Sequence, residues 1–413
     1  MKIRLKSYYI KNIFFIICFL LNSGYCYVLK SDTYTLLSLF VCGCIVIGYY
    51  GILRKKFLTK KFWLHPFTWL AIWIFIEMFL KFELRIYGTY FRQILVLIIA
   101  VFIAQNISFK RFIKTFISFM FIVSCISIIA WILVNILSID LHLPIMNSNW
   151  EKALFTEYQN GILFFIHSHQ PYKLMGPFWE PGLYASMTIL AYLFLNEEYY
   201  NKRQKKIIGM TFIVGIILSF STAGYLLLLV VFIIKILSNS EQRVSIFLFL
   251  SICLSLFFVI MFSNDILNYL ATVMPGVFGK MINGSISAST RVNGPLVDLI
   301  IFMDNPIIGA GYLKYLNEWP YYANLLNVES RTSTITYFMA VFGLPGLLYL
   351  VTIFKGVMSQ VKIGNYIKIF VLFIFVSIVT KEPHYVNLFM VTLFAYFSQD
   401  KYILNNKSIK TNI

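Results

Sequence analysis

The chain has 413 residues, of which 59% are hydrophobic and only 13% are charged. This composition, with a mean hydropathy of +0.77, excludes an ordinary soluble domain, because such domains carry about 25% charged residues. The formal net charge is +18. The basic residues alternate with apolar runs instead of gathering on one face, which argues against nucleic-acid binding. The sequence therefore predicts that lipid surrounds most of the chain.

Apolar runs long enough to cross a membrane recur along the whole sequence. A spanning helix needs about 20 mostly apolar residues, and unbroken runs fit helices, whereas barrel strands alternate. We therefore predict an all-α, polytopic integral membrane protein of about twelve transmembrane helices, forming a single membrane domain over 1–413. The predicted spans cover residues 9–29, 34–53, 62–82, 91–108, 112–138, 181–197, 206–221, 222–238, 244–263, 332–355, 364–380 and 384–400.

The distribution of basic residues orients these spans. Most of the 35 Lys and Arg residues fall in segments that are cytoplasmic if the N-terminus is cytoplasmic, as the positive-inside rule requires. Both termini are therefore predicted to be inside. A medium loop, 139–181, and a large loop, 264–331, then lie on the outer side, where we expect the chemistry.

The medium loop ends in an acidic residue at a helix entrance. Glu180 lies between Trp179 and Pro181, and proline suits the first position of a helix. The helix N-terminus favours a charged carboxylate and burial opposes it, so Glu180 is either a base or a simple helix-start acid. His167 and His169 form an H-x-H pair that fits a base, metal ligands or two surface histidines.

The large loop contains a predicted surface helix. Ser289 or Thr290 can cap a helix that starts near Arg291. The residues at 305–306, Asn-Pro, are expected to stop it. Its apolar side chains share one face, so the helix is expected to lie on the membrane surface. These side chains are Leu296, Ile300 and Met303.

Two arginines and a glycine-rich turn make the large loop a candidate binding segment. Arg291 starts the surface helix, and Arg331 stands at the entrance of the tenth span. Guanidinium groups bind phosphate bidentately, although an isolated arginine can simply reach toward lipid headgroups. The Gly-Ala-Gly turn at 309–311 predicts close backbone approach to a ligand. The Trp-Pro-Tyr-Tyr segment at 319–322 either stacks on sugars or anchors the chain at the membrane surface.

A charged cluster marks the outer end of the third span. Glu77, Lys81 and Arg85 are spaced four residues apart and should pair along a helix. Arg92 begins the next span, so the cluster either extends a basic pocket or neutralises itself. Neither outer loop offers an Asp-x-Asp motif or a similar carboxylate group for Mg²⁺ or Mn²⁺, and we predict no metal and no cofactor.

Several short motifs resemble those of one family. Residues 176–182 read G-x-F-x-E-P-G, and a serine-rich hairpin follows at 219–224. Residues 289–291 read S-T-R, and 305–312 read N-P-x-x-G-x-G-Y. With an F-G-L-P-G turn at 342–346, this pattern resembles the Wzy-type O-antigen polymerases of the O-antigen ligase/polymerase superfamily. The resemblance covers the whole topology and most of residues 171–350.

The resemblance implies inverting, metal-independent glycosyl transfer on the periplasmic side of the bacterial inner (plasma) membrane. A growing polysaccharide would move from one undecaprenyl diphosphate carrier to a single repeat unit on another, giving O-antigen or capsular polysaccharide. The implied partners are the undecaprenyl-diphosphate-linked oligosaccharide, membrane lipid and a chain-length regulator protein.

The same resemblance implies a set of site residues. Arg291 matches the arginine of the family's large-loop motif, Glu180 matches its acidic position, and Lys173 stands where many members have arginine. We expect Glu180 and Arg291 to be catalytic, and Arg291, Arg331 and Lys173 to bind the diphosphate. The auxiliary candidates are His169, Arg92 and Tyr312.

Two other functions fit part of the sequence. An O-antigen ligase would move the finished polymer onto lipid A core, but Thr332 and Ser333 stand where ligases of the superfamily carry a His-Asn pair. A flippase for the lipid-linked unit would show charges deep inside several spans and two matching halves, and this sequence shows neither.

Overall fold

The computed structural model describes residues 22, 25, 32–47, 60–81, 86–148, 156–168, 170–196, 200–237, 272, 286–328, 331, 333–359, 365–381 and 387–399. As predicted, the structure is mostly helical. The helices are α1 (Asp32–Ile47), α2 (Lys60–Trp63), α3 (Pro66–Leu80), α4 (Tyr87–Asn106), α5 (Phe109–Asn135), α6 (Pro181–Leu193), α7 (Lys202–Leu218), α8 (Thr222–Leu237), α9 (Ile286–Asp304), α10 (Gly311–Leu325), α11 (Thr334–Phe342), α12 (Leu348–Met358), α13 (Asn365–Lys381) and α14 (Leu388–Phe397).

Two of the described helices, α4 and α5, are long and apolar enough to cross a membrane. Several shorter apolar helices, among them α3 and α14, coincide with other predicted spans. The predicted span 244–263 lies outside the described residues, as does 9–29 apart from Asn22 and Tyr25. The prediction of a mostly helical, apolar chain is therefore confirmed, and the number of spans stays a prediction.

One predicted span, 332–355, is interrupted in the structure. α11 ends at Phe342, a 3₁₀ turn covers Leu344–Leu347, and α12 follows. Gly343 has a φ of +69°, a conformation that favours glycine, and Pro345 brings no N–H to continue the helix. The interruption coincides with the F-G-L-P-G turn at 342–346 that the sequence indicated, although the hydropathy of 332–355 does not change there and predicted one span.

The medium loop contains strands, so the all-α prediction was wrong at this point. β1 (Ile145–Ser148), β2 (Thr156–Asn160) and β3 (Phe165–His167) form an antiparallel sheet in that order. The segments are short and rich in β-branched and aromatic residues, which suit a half-buried pleated surface. Their inner side chains join one buried cluster, which consists of Tyr25, Met146, Tyr158, Phe165 and Met175.

The chain divides into two compact units. The first unit takes its described residues from 1–35 and 113–289, and the second from 36–112 and 290–413. In the first unit α6 packs against α7 and α8, and the Tyr184 hydroxyl of α6 donates to Ser124 Oγ of α5 at 2.9 Å. In the second unit α4 packs against α3 and α14. The Tyr396 hydroxyl of α14 donates to the Ile107 carbonyl at 2.9 Å.

Candidate functional site

A loop that precedes α6 holds the candidate residues of the first unit. Three elements fix its backbone. The Trp131 indole of α5 donates to the Tyr172 carbonyl at 2.7 Å, and Leu174 N donates to the Leu218 carbonyl at the end of α7 at 2.9 Å. Phe165 N of β3 donates to the Gly176 carbonyl at 2.8 Å. The loop is therefore positioned by α5, α7 and the sheet.

Lys173 is buried in this loop, although lysine is normally exposed. Only 5% of the residue is accessible to solvent. It lines a cleft beside Ser127, Trp131 and Asn135, and its Nζ lies 5.5 Å from the centre of the Tyr172 ring. The structure thus places the predicted diphosphate-binding lysine in a partly polar cleft of the first unit.

Glu180 is the N-cap residue of α6, and Pro181 is the first residue of the helix, as predicted. Its backbone is extended, and its side chain makes no capping hydrogen bond. Glu180 is half-buried. The short side chains Ser, Thr, Asp and Asn usually supply capping hydrogen bonds, and the longer Glu180 side chain does not supply one here.

The structure describes one of the two histidines of the medium loop. His167 lies in β3, half-buried, with its ring 5.3 Å from the Tyr158 ring. His169 lies outside the described residues. Within the described part of the chain, no group of three or more His, Cys, Asp or Glu side chains could hold a metal ion.

In the second unit, α9 carries Arg291. The helix begins at Ile286, five residues before the predicted start, so Ser289 and Thr290 lie inside it and the capping prediction was wrong. No glycine or proline lies between Ile286 and Arg291 that would prevent the helix from starting this early. The predicted apolar face, Leu296, Ile300 and Met303, is exposed as expected. Only the backbone position of Arg291 is described.

The glycine-rich turn after α9 packs against the chain itself. α9 ends at Asp304, directly before the Asn-Pro pair, as predicted. Gly309 and Gly343 both have positive φ, and a Cβ on Gly309 would come within 2.5 Å of Gly343 N. The Ala310 N–H donates to the Ala340 carbonyl at 2.8 Å. The close neighbour of this turn in the structure is therefore the backbone of 340–344, and the predicted approach to a ligand stays a prediction.

The charged cluster of α3 also contacts this turn. Lys81 Nζ lies 3.6 Å from Glu77, as the four-residue spacing predicted, and donates to the Gly309 carbonyl at 2.8 Å. Arg85 lies outside the described residues. Tyr312 is buried, with its ring 4.6 Å from the Tyr90 ring. Arg92 is buried on α4.

Arg331 lies over two aromatic rings of α10. Its guanidinium carbon is 5.6 Å from the centre of the Tyr315 ring and 5.5 Å from that of Trp319. Cations at this distance are attracted to the faces of aromatic rings. Trp319 was predicted to stack on sugars or to anchor the chain, and in the structure it contacts the predicted diphosphate-binding arginine.

A buried carboxylate, that of Asp298, fixes the Tyr315 ring beneath this arginine. Asp298 of α9 is only 2% exposed. The Tyr315 hydroxyl donates to its Oδ1 and the Thr336 hydroxyl donates to its Oδ2, each at 2.7 Å. Burial raises the pKa of Asp298 to about 6, and the two hydroxyl groups and the charge of Arg331 partly oppose that rise. Burial and the Asp298 carboxylate raise the pKa of Tyr315 well above its ordinary value.

This network of Asp298, Tyr315 and Thr336 was missed by the sequence analysis. The available signal was a lone carboxylate inside the apolar run 296–302, since an acid is rarely buried without partners. The partners are far along the chain, and no helical spacing relates them to Asp298. Sequence pattern could therefore flag the acid but could not name the two hydroxyl groups.

The raised pKa of Asp298 predicts a pH dependence of stability. The folded chain holds this proton more tightly than the unfolded chain, whose carboxyl has a pKa near 3.8. The contribution to stability is therefore full below pH 4, and it decreases by about 3 kcal/mol as the pH rises to about 6. Thermal unfolding of the purified protein in detergent at pH 4–8 measures this. Asp298→Asn should remove this part of the decrease; an unchanged profile in the variant would contradict the assignment.

No protein-family model matches this chain, and neither does any curated protein. The structure itself defines a mostly helical, apolar chain with two described helices of membrane-spanning length. What the chain does must be argued from its residues.

Proposed function

We propose that this chain is a multi-pass glycosyltransferase of the bacterial inner membrane. It joins undecaprenyl-diphosphate-linked oligosaccharide repeat units into O-antigen or capsular polysaccharide on the periplasmic side. The proposal includes about twelve spans, cytoplasmic termini and a transfer that inverts the anomeric carbon without a metal ion.

The described helices support the membrane part of this proposal. α3 leaves large apolar side chains exposed along its length, and α12 and α13 do the same. Monomeric soluble proteins rarely expose contiguous apolar surface of this extent. Lipid chains would solvate such surfaces without penalty. The exposed side chains of α3 include Trp69, Phe75, Phe79 and Leu80.

The observation that carries the proposal is the setting of Arg331. Its guanidinium lies over Tyr315, and the Tyr315 hydroxyl is fixed by the buried Asp298 carboxylate. An arginine normally loses rotamer freedom when it binds an anion. Because the Tyr315 ring that supports the guanidinium is already fixed, less of this freedom is left to lose. This favours binding of an anionic group such as a diphosphate.

The first unit offers a buried cation and a half-buried acid. Lys173 lines a cleft, and the Glu180 carboxylate does not cap its own helix. Because the carboxylate makes no capping hydrogen bond, the first turn of its own helix does not hold it, which is compatible with the proposed role of Glu180 as the base.

The proposed reaction needs a base and cations. An acceptor sugar hydroxyl attacks the anomeric carbon of the growing chain, and Glu180 takes the hydroxyl proton. The new C–O bond forms as the bond to the diphosphate oxygen breaks, and undecaprenyl diphosphate leaves with the electron pair. Arg291, Arg331 and Lys173 stabilise its charge, so no proton donor is needed. The auxiliary candidates are His169, Arg92 and Tyr312.

A deletion strain tests the function. Surface glycan from this strain is separated on a gel beside glycan from the complemented strain. Loss of a polymerase leaves a single repeat unit on the surface lipid. Polymer accumulating on the carrier would instead identify a ligase, and repeat units trapped inside the cell would identify a flippase. An unchanged ladder would refute all three.

Glu180→Gln should reduce chain elongation about 10²- to 10⁴-fold, because it removes the proton acceptor. The glutamine keeps the size of the side chain, and no capping hydrogen bond is lost. Elongation is measured in membranes supplied with lipid-linked repeat units. Glu157→Gln is the matched control, since Glu157 is an exposed acid of the same unit. Equal activity of the two variants would remove Glu180 from the mechanism.

A further inference from the structure

The indole nitrogen of Trp319 is a buried donor with no hydrogen-bond acceptor among the described residues. The indole N–H can only donate, and buried polar groups almost always have a partner. The few native exceptions often mark a place where a ligand or water supplies the missing group. Trp319 therefore identifies a point in α10 where an oxygen atom is expected.

A cation lies next to this donor. The guanidinium carbon of Arg331 is 5.5 Å from the centre of the Trp319 ring. Hydrogen bonds from nitrogen to oxygen are about 2.9 Å long, so one ligand with several oxygen atoms can reach both groups. An uncharged hydroxyl would satisfy the indole alone, whereas an oxyanion would also suit the guanidinium.

The surrounding charges allow such a ligand. Asp298 is held by hydroxyl donors on both oxygens and is 2% exposed, so it supports the Tyr315 ring and does not contact the ligand itself. Glu318, next to Trp319 in the chain, lies 3.6 Å from Lys314, which offsets its charge.

We propose that Trp319 and Arg331 together form an oxyanion-binding subsite, in which the indole N–H and the guanidinium donate to one anionic group. The ligand is an oxyanion of the substrate. On the proposed function, on which this inference rests, it is the carrier diphosphate. A carboxylate of an acidic sugar has the same chemistry and is the second possible source.

Trp319→Phe tests the subsite, because phenylalanine keeps an aromatic face for Arg331 and removes only the N–H. The purified full chain is titrated with farnesyl diphosphate, with farnesol as the uncharged probe and glucuronate as the carboxylate probe. We expect the variant to bind farnesyl diphosphate about fivefold more weakly or worse, with farnesol unaffected. Trp69→Phe, at an exposed tryptophan of α3, should bind as the wild type does.

The outcomes separate the two proposals. If Trp319→Phe weakens glucuronate binding instead, the subsite stands and its ligand is the sugar carboxylate. If the variant binds both anions as the wild type does while Arg331→Ala does not, the indole has no role and the subsite is refuted. If the wild type binds neither anion, the subsite is likewise refuted. The deletion-strain gel answers the question of glycan polymerisation independently of all these results.

Discussion

Arg331→Ala is expected to reduce the surface glycan to single repeat units when it replaces the wild-type gene. The substitution removes the cation that Tyr315 and Trp319 support, and on the proposed function the leaving diphosphate loses a charge-assisted contact. Removal of one such stabilising donor slows related reactions by about 10²- to 10³-fold. Arg331→Lys should recover little of this activity, because an ammonium cannot form the planar, bidentate contact.

The control for Arg331 is Arg111→Ala, which removes an exposed arginine near the start of α5 on the predicted cytoplasmic side. It should leave the ladder unchanged. Protein amounts in membranes are compared by immunoblot, so that loss of activity is not confused with loss of protein. Long ladders from Arg331→Ala at normal protein levels would contradict the proposed mechanism.

Gly343→Ala is expected to cause a large loss of stability. Gly343 has a φ of +69°, and a Cβ there would lie 2.7 Å from Gly309 N and closer still to the Ile307 carbonyl. Strain at positive φ and overpacking against backbone each cost about 1–3 kcal/mol. Since these neighbours are backbone atoms, no side chain can rotate away to relieve the contact.

Gly88→Ala provides the matched control for this prediction. Gly88 lies in α4, and a Cβ there would meet nothing within 4 Å. Alanine favours helix by about 1 kcal/mol over glycine, so the melting temperature should hold or rise. Thermal unfolding of both variants in detergent gives the comparison. A Gly343→Ala protein as stable as the wild type would show that the two turns are not packed as described.

Local signals in the sequence were sufficient for several elements of the fold. The apolar runs predicted α4 and α5 to within a few residues, because a membrane-length helix repeats one physical requirement many times. Pro181 and the Asn-Pro pair at 305–306 fixed two helix ends, since proline restricts the backbone wherever it occurs. The F-G-L-P-G motif indicated the turn at 342–346, but the unbroken hydropathy of 332–355 did not show that the turn divides the run into two helices.

Some residues of the candidate site could likewise be predicted from local sequence, and others could not. Arg331 and Glu180 were proposed from their positions at helix entrances, and Glu180 also from a family resemblance. The hydroxyl groups that hold Asp298 come from α10 and α11, and only the folded chain brings them together. The lack of an acceptor for the Trp319 indole among the described residues was likewise not predictable, since whether a donor is satisfied depends on its folded surroundings.

The backbone contact between Gly309 and Gly343 has a mechanical consequence. The two turns touch without intervening side chains and are joined by two backbone hydrogen bonds, so sliding one past the other would break both bonds. Thr336 of α11 and Tyr315 of α10 also donate hydrogen bonds to the same carboxylate, that of Asp298. The helices α9, α10 and α11 are thus linked both through the two turns and through Asp298, so a substitution at either link is expected to disturb the other.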